Sequence, residues 1–109
     1  MTQQHKNLSN GKWNELSILE QMANIGSEVE RSIKWKNKNN LKFAKKAFER
    51  FLELIDLTIA DYKNKSRLKE ILRIREFFSD FLIGNNIYNF KDEEWQKYFY
   101  HFNLAARLK

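Results

Sequence analysis

The chain has 109 residues, 42% of them hydrophobic and 15% aromatic, with a net charge of +6 and no cysteine. That length suits one domain able to bury about two-thirds of its unfolded surface, and the apolar content excludes a disordered chain. The missing cysteine removes disulfides, thiolate nucleophiles and Cys-based zinc sites. Three glycines and no proline are too few turn formers for a sheet protein, so the expected fold is all-α.

Residues 1–12 are polar, with neither a helical period nor the apolar run of a signal peptide, and read as a flexible tail ordered only near Leu8. From 13 to 37, Leu16, Leu19, Met22, Ala23, Ile25, Val29 and Ile33 recur at three- and four-residue spacing, which predicts a first amphipathic helix. Residues 37–40 (NKNN) tolerate left-handed backbone and cap helices, which marks a reversal. A second helix follows over 40–62, where Leu41, Phe43, Ala44, Phe48, Phe51, Leu54, Ile55, Thr58 and Tyr62 belong to an apolar arc wide enough to touch two neighbours.

Lys63, Asn64 and Lys65 make the next reversal, and Ser66 is the expected N-cap of a third helix over 66–83. Its buried stripe is Leu68, Ile71, Leu72, Ile74, Phe77, Phe78, Phe81 and Leu82, and Gly84 is the expected left-handed stop. After a loop with Tyr88 and Phe90, Asp92, Glu93 and Glu94 suit the positive end of a helix dipole, and Arg107 suits the other end. The fourth helix spans 92–108, with Trp95, Tyr98, Phe99, Phe102, Ala105 and Ala106 inward. Short connections between four amphipathic helices predict an antiparallel up-down-up-down bundle over residues 13–109.

No catalytic constellation is recognisable. His5 and His101 stand apart, and no nucleophile elbow or phosphate loop occurs. No metal or cofactor is expected, and no membrane span, since about 18 apolar residues never run together; the expected compartment is the cytoplasm. Glu30 and Arg75 fall within apolar arcs, and a buried ion pair between them, with Gly26 allowing close helix approach, is expected alongside the alternative that both reach the rim. The stretch 31–46 holds Arg31, Lys34, Lys36, Lys38, Lys42, Lys45 and Lys46 and no acid. With Trp35 set away from the apolar arc and Tyr88 brought to the same end, it is a candidate nucleic-acid contact, since lysines attract phosphate and aromatics stack bases. Tyr100, Leu104 and Leu108 project away from the Trp95 stripe and are a candidate protein-partner or homodimer surface.

The blocks GSEVERSIKW (26–35), AFERFLELIDLTIAD (47–61), RLKEILRIREFFSDF (67–81) and WQKYFYHFN (95–103) resemble those of a set of small bacterial all-helical proteins. The long helix, Asn-containing reversal and aromatic second helix are also similar to HEPN-type four-helix bundles. Those include RNases and non-catalytic partners of nucleotidyltransferases. Their nuclease motif, an Arg followed four to six residues later by His, is missing here, because the nearest Arg before His101 is Arg75. The resemblance therefore implies a non-catalytic member. A non-enzymatic module binding a protein partner or itself is the first expectation, RNA or DNA binding the second, and a degenerate HEPN-type protein the third.

Overall fold

The computed structural model describes residues 11–108, and residues 1–10 of the expected tail lie outside it. Four helices form the bundle: α1 (Ile18–Asn37), α2 (Leu41–Ala60), α3 (Leu68–Ile83) and α4 (Asp92–Arg107). Helix α1 lies against both α2 and α4, while α2 also touches α3. Neighbours run antiparallel: Trp13, ahead of α1, reaches Thr58 at the end of α2, and Asn37 at the end of α1 reaches Asp92 at the start of α4.

The first helix starts later than its apolar period implies. Trp13–Glu15 is a short 3-10 turn, Leu16 is extended (ψ 146°), and Ser17 caps α1. The Ser17 hydroxyl accepts from the Glu20 N–H at 3.2 Å and the Glu20 carboxylate accepts from the Ser17 N–H at 3.0 Å, so two orphan donors are satisfied reciprocally. The first reversal follows expectation. Asn39 takes the left-handed conformation (φ 59°), and the Asn40 side chain accepts from the Phe43 N–H at 3.1 Å.

Ser66 is not the cap of α3. It sits inside a 3-10 helix, Tyr62–Arg67, whose cap is Asp61, and α3 begins at Leu68 with no side-chain cap. Gly84 is not left-handed either, with φ −95°. A Cβ there would come within 2.8 Å of the Asp80 carbonyl oxygen, so glycine serves close approach, and Asn86 (φ 50°) and Asn89 (φ 57°) carry the reversal. The Asn86 amide fastens the loop by accepting from the Phe90 N–H at 3.0 Å and donating to the Phe90 carbonyl at 2.9 Å. At the start of α4, the Glu94 carboxylate accepts from the Lys91 N–H at 2.9 Å.

The core holds Ile25, Val29 and Ile33 from α1, Phe51 and Ile55 from α2, Ile71 and Phe78 from α3, and Trp95 and Phe99 from α4. Gly26 does allow close approach, but to α4: a Cβ on it would lie 2.9 Å from the Phe99 Cβ, which is anchored to its own helix and cannot swing aside. Ile71, Ile74, Phe78 and Phe81 form a narrow buried seam along α3, and Leu72, expected inside, falls beside it and is exposed. Leu41, Phe43 and Tyr62, assigned inward on α2, are also exposed. The last turn of α1, which faces the first turn of α2, offers Leu41 and Phe43 only Trp35 among lysines and asparagines, and Tyr62 lies beyond the other end of α2, at the start of the 3-10 helix that follows it.

Ahead of α1 lies a buried polar clasp. The Trp13 indole N–H donates to the Thr58 hydroxyl at 2.9 Å, and the Gln21 amide donates to the Trp13 carbonyl (3.0 Å) and to Asp61 (2.9 Å). The Asn64 amide donates to Gln21 (2.8 Å) and to the Thr58 carbonyl (3.0 Å). These bonds fasten the chain before α1 to the chain after α2.

Candidate functional site

The acid-free segment 31–46 wraps the reversal between α1 and α2, and the fold sorts its residues, together with Tyr88, into a surface cluster and three departures. Arg31 is tied to the buried carboxylate of Glu28 at 3.0 Å, which also holds Arg50 at 3.2 Å. Lys36 leans the other way, its ammonium 4.5 Å from the Phe81 ring centroid. Tyr88 is committed elsewhere: its hydroxyl donates to Glu76 at 2.7 Å and its ring lies 4.3 Å from Phe77. That hydrogen bond raises the Tyr88 pKa above the usual phenol value.

The cluster that remains centres on Trp35. Its half-buried ring meets Phe43 edge to face at 4.9 Å, and the ammonium groups of Lys34 and Lys38 lie 5.3 and 5.5 Å from its centroid. Phe43, Lys46 and Arg50 succeed one another along one face of α2, and with Trp35 they line a shallow hollow of about 230 Å³. Phe43 is 41% exposed and Leu41 72% exposed. Among the described residues none of Lys34, Lys36, Lys38, Lys42, Lys45 and Lys46 is in an ion pair. The surface is thus apolar at its centre and cationic around it.

Glu30 and Arg75 do not pair. Glu30 is exposed and lines a groove between α1 and α4 with Gln96, Tyr100 and Asn103, whereas Arg75 binds Asp56 of α2 at 2.7 Å. The bond to Asp56 raises the Arg75 pKa further. The buried charge on α1 is Glu28, two residues and about 200° around the helix from Glu30, and it faces arginine.

Tyr100, Leu104 and Leu108 are exposed, and Tyr100 also borders the α1–α4 groove. His101 is exposed beside Tyr100. No group of three or more His, Asp or Glu that could hold a metal ion occurs among the described residues, and no helix there is long and apolar enough to cross a membrane.

Sequence reasoning missed Leu41, Phe43 and Arg50 as surface members. The available signal was their place on the first turns of α2, interleaved with Lys42, Lys45 and Lys46. It also missed a cleft between α3 and α4 lined by Phe77, Phe90, Trp95 and Tyr98, because the helical aromatics there were assigned to a closed core and Phe90 to a loop. The chain matches no family model, no curated protein and no solved structure.

Proposed function

We propose that the protein is a non-enzymatic interaction module whose contact surface is the α1–α2 reversal, and that its partner is a protein segment rich in carboxylates with one or two apolar anchors. The observation that carries this is Trp35, Phe43 and Leu41 standing at the surface among lysines that form no ion pair with the described residues. Aromatic side chains supply much of the binding energy at protein interfaces, and complementary charge supplies specificity and encounter rate. Non-catalytic HEPN-type bundles, which the chain resembles, also act as partners of other proteins.

Single-stranded nucleic acid is the competing reading, favoured by the same acid-free run. It would have to use the Trp35 ring as a stacking platform, and that ring already carries two ammonium groups. Two exposed cation–π contacts of about 0.5–1 kcal/mol each offset much of the about 1–3 kcal/mol that a stacked base returns. Carboxylates can engage Lys34 and Lys38 without unseating either contact. The protein reading therefore ranks first.

The test is a fluorescence-anisotropy titration of the full chain with two probes: a glutamate-rich peptide carrying one leucine and one phenylalanine, and a short single-stranded oligonucleotide. Lys34→Glu with Lys38→Glu is expected to weaken the peptide about tenfold or more, about 1.4 kcal/mol, and Trp35→Ala to weaken it comparably. Tighter binding of the oligonucleotide, with affinity falling steeply with salt, would replace this reading with the nucleic-acid one. Indifference of both probes to all three substitutions would remove the surface from consideration.

A further inference from the structure

A further concave feature lies between α3 and α4, with a cavity volume of about 320 Å³. It exists because large rings hold the two helices apart. Phe90, from the loop, has its centroid 5.7 Å from Phe77 and 5.1 Å from Trp95, so these three rings form a continuous aromatic wall. Tyr98 adds a fourth ring from the next turn of α4, and its hydroxyl donates to Glu70 at 2.5 Å.

The charges lining the cleft are two carboxylates, Glu70 and Glu94, against one guanidinium, Arg73. Glu70 is half-buried, held in place by the Tyr98 hydroxyl, and lies 3.9 Å from the exposed Arg67 guanidinium at the edge of the cleft. Burial first, and the hydrogen bond to Glu70 second, push the Tyr98 pKa well above the usual phenol range, so Tyr98 keeps its proton and donates to Glu70. Glu94 uses one oxygen on the Lys91 N–H. Arg73 forms no ion pair among the described residues. In a chain of net charge +6, an aromatic cleft lined by two carboxylates and one guanidinium runs against the overall balance.

We propose that this cleft binds a small aromatic organic cation, an aryl-ammonium compound whose ring lies among Phe77, Phe90 and Trp95 and whose charge is met by the surrounding π systems and by Glu70 and Glu94. Ring quadrupoles attract cations, and aromatic cages with a nearby carboxylate are a recurrent way of holding quaternary ammonium groups. The cavity is at the lower end of the about 300–1,000 Å³ typical of small-molecule sites, which limits the ligand to one ring and its head group. Arg73 is then the resident competitor and not a ligand-binding group, so its removal improves binding. An anionic ligand requires the opposite.

The test uses the three indole N–H signals of the full chain in proton–nitrogen correlation spectra. Their environments differ: Trp13 donates to Thr58, Trp35 sits among lysines, and Trp95 has a buried N–H without a partner among the described residues. Phenyltrimethylammonium is expected to shift the Trp95 signal saturably and leave Trp13 in place. Its neutral isostere, tert-butylbenzene, should bind about tenfold more weakly. Arg73→Gln should tighten phenyltrimethylammonium several-fold and Glu94→Gln should loosen it. Phe77→Leu should loosen it too, with the Trp13 signal unmoved as evidence of intact folding. Tighter binding of benzoate, lost in Arg73→Gln, would overturn the proposal in favour of an anion site. Equal affinity for the neutral isostere would reduce it to a greasy cleft, and a Trp95 signal unmoved by every probe would remove the site altogether.

Discussion

Two tryptophans are buried to almost the same degree, Trp13 at 1% and Trp95 at 5% exposure, yet they sit in regions of opposite character. Around Trp13 the polar groups close on one another: indole, Thr58, Gln21, Asp61 and Asn64 are all hydrogen-bonded. Around Trp95 they do not. The buried side-chain N and O atoms without a partner among the described residues are Trp95 Nε1 and Asp80 Oδ2, on α4 and α3. Helix packing differs in the same sense. Helix α1 approaches α4 across Gly26 and buries Ser32, and the α2 face includes buried Ala44 and Ala47, small residues that let backbones close up. Between α3 and α4 stand Phe77, Phe81, Trp95 and Tyr98, and the rings leave a cleft. The difference teaches that aromatic mass alone does not close a seam; small residues and paired polar groups do.

The strongest way to break this comparison is Trp13→Ala. It empties a fully buried site and unfastens the clasp, and it should cost about 3–5 kcal/mol of unfolding free energy by urea denaturation. A cost below about 1 kcal/mol would mean that the chain ahead of α1 is no part of the cooperative domain. A finer cut is to make the same change at both indoles. Trp13→Phe loses the bond to Thr58 and leaves a buried hydroxyl oxygen short of a donor, about 1–2 kcal/mol beyond the lost volume. Trp95→Phe loses the same volume but removes a donor that had no partner, so it should be milder by about that difference. Equal costs would show that Trp95 Nε1 finds a partner in solution and that the two regions are less unlike than the geometry says.

The bundle was legible in the sequence because four apolar stripes at helical pitch leave few alternatives, and the asparagine reversal at 37–40 announced itself through residues that tolerate left-handed backbone. The start of α1 was equally present in the letters: Ser17 followed three residues later by Glu20 is a capping box. The apolar period runs through Leu16 without a break, and period outweighed cap. Ser66 misled in the reverse way, because a good capping residue stood inside a 3-10 turn while Asp61 did the capping. At the surface, the lysines of 31–46 were readable as a patch, but its apolar centre was not. Phe43 and Leu41 look like core by spacing, and only the absence of an apolar opposing turn on α1 leaves them outside. The partner of Arg75 was out of reach because a helical period places a charge on a face and does not say which neighbouring helix meets it. The α3–α4 cleft was invisible for a related reason: pattern identifies which side chains turn inward and says nothing of how completely they fill the space.

Acid titration sharpens the comparison with the smallest expected effect. Asp61 is buried in the clasp, and burial by itself would raise its pKa; hydrogen bonds from the Lys63 and Gln21 side chains and the Lys63 N–H outweigh that and bring it below the ordinary 3.8. A folded-state pKa below the unfolded one means that ionised Asp61 favours the native state at pH above 3.8, and that this contribution drains away as pH falls from 3.8 through the folded value. Other carboxylates titrate in the same range, so the measurement is a difference. The urea midpoint of the wild-type chain minus that of Asp61→Asn should be steady from neutral pH down to about 4 and shrink below it. A gap that stays constant into strong acid would place the value of Asp61 in its shape and neutral hydrogen bonds. The clasp would then be closed by packing, and charge would no longer separate it from the α3–α4 seam.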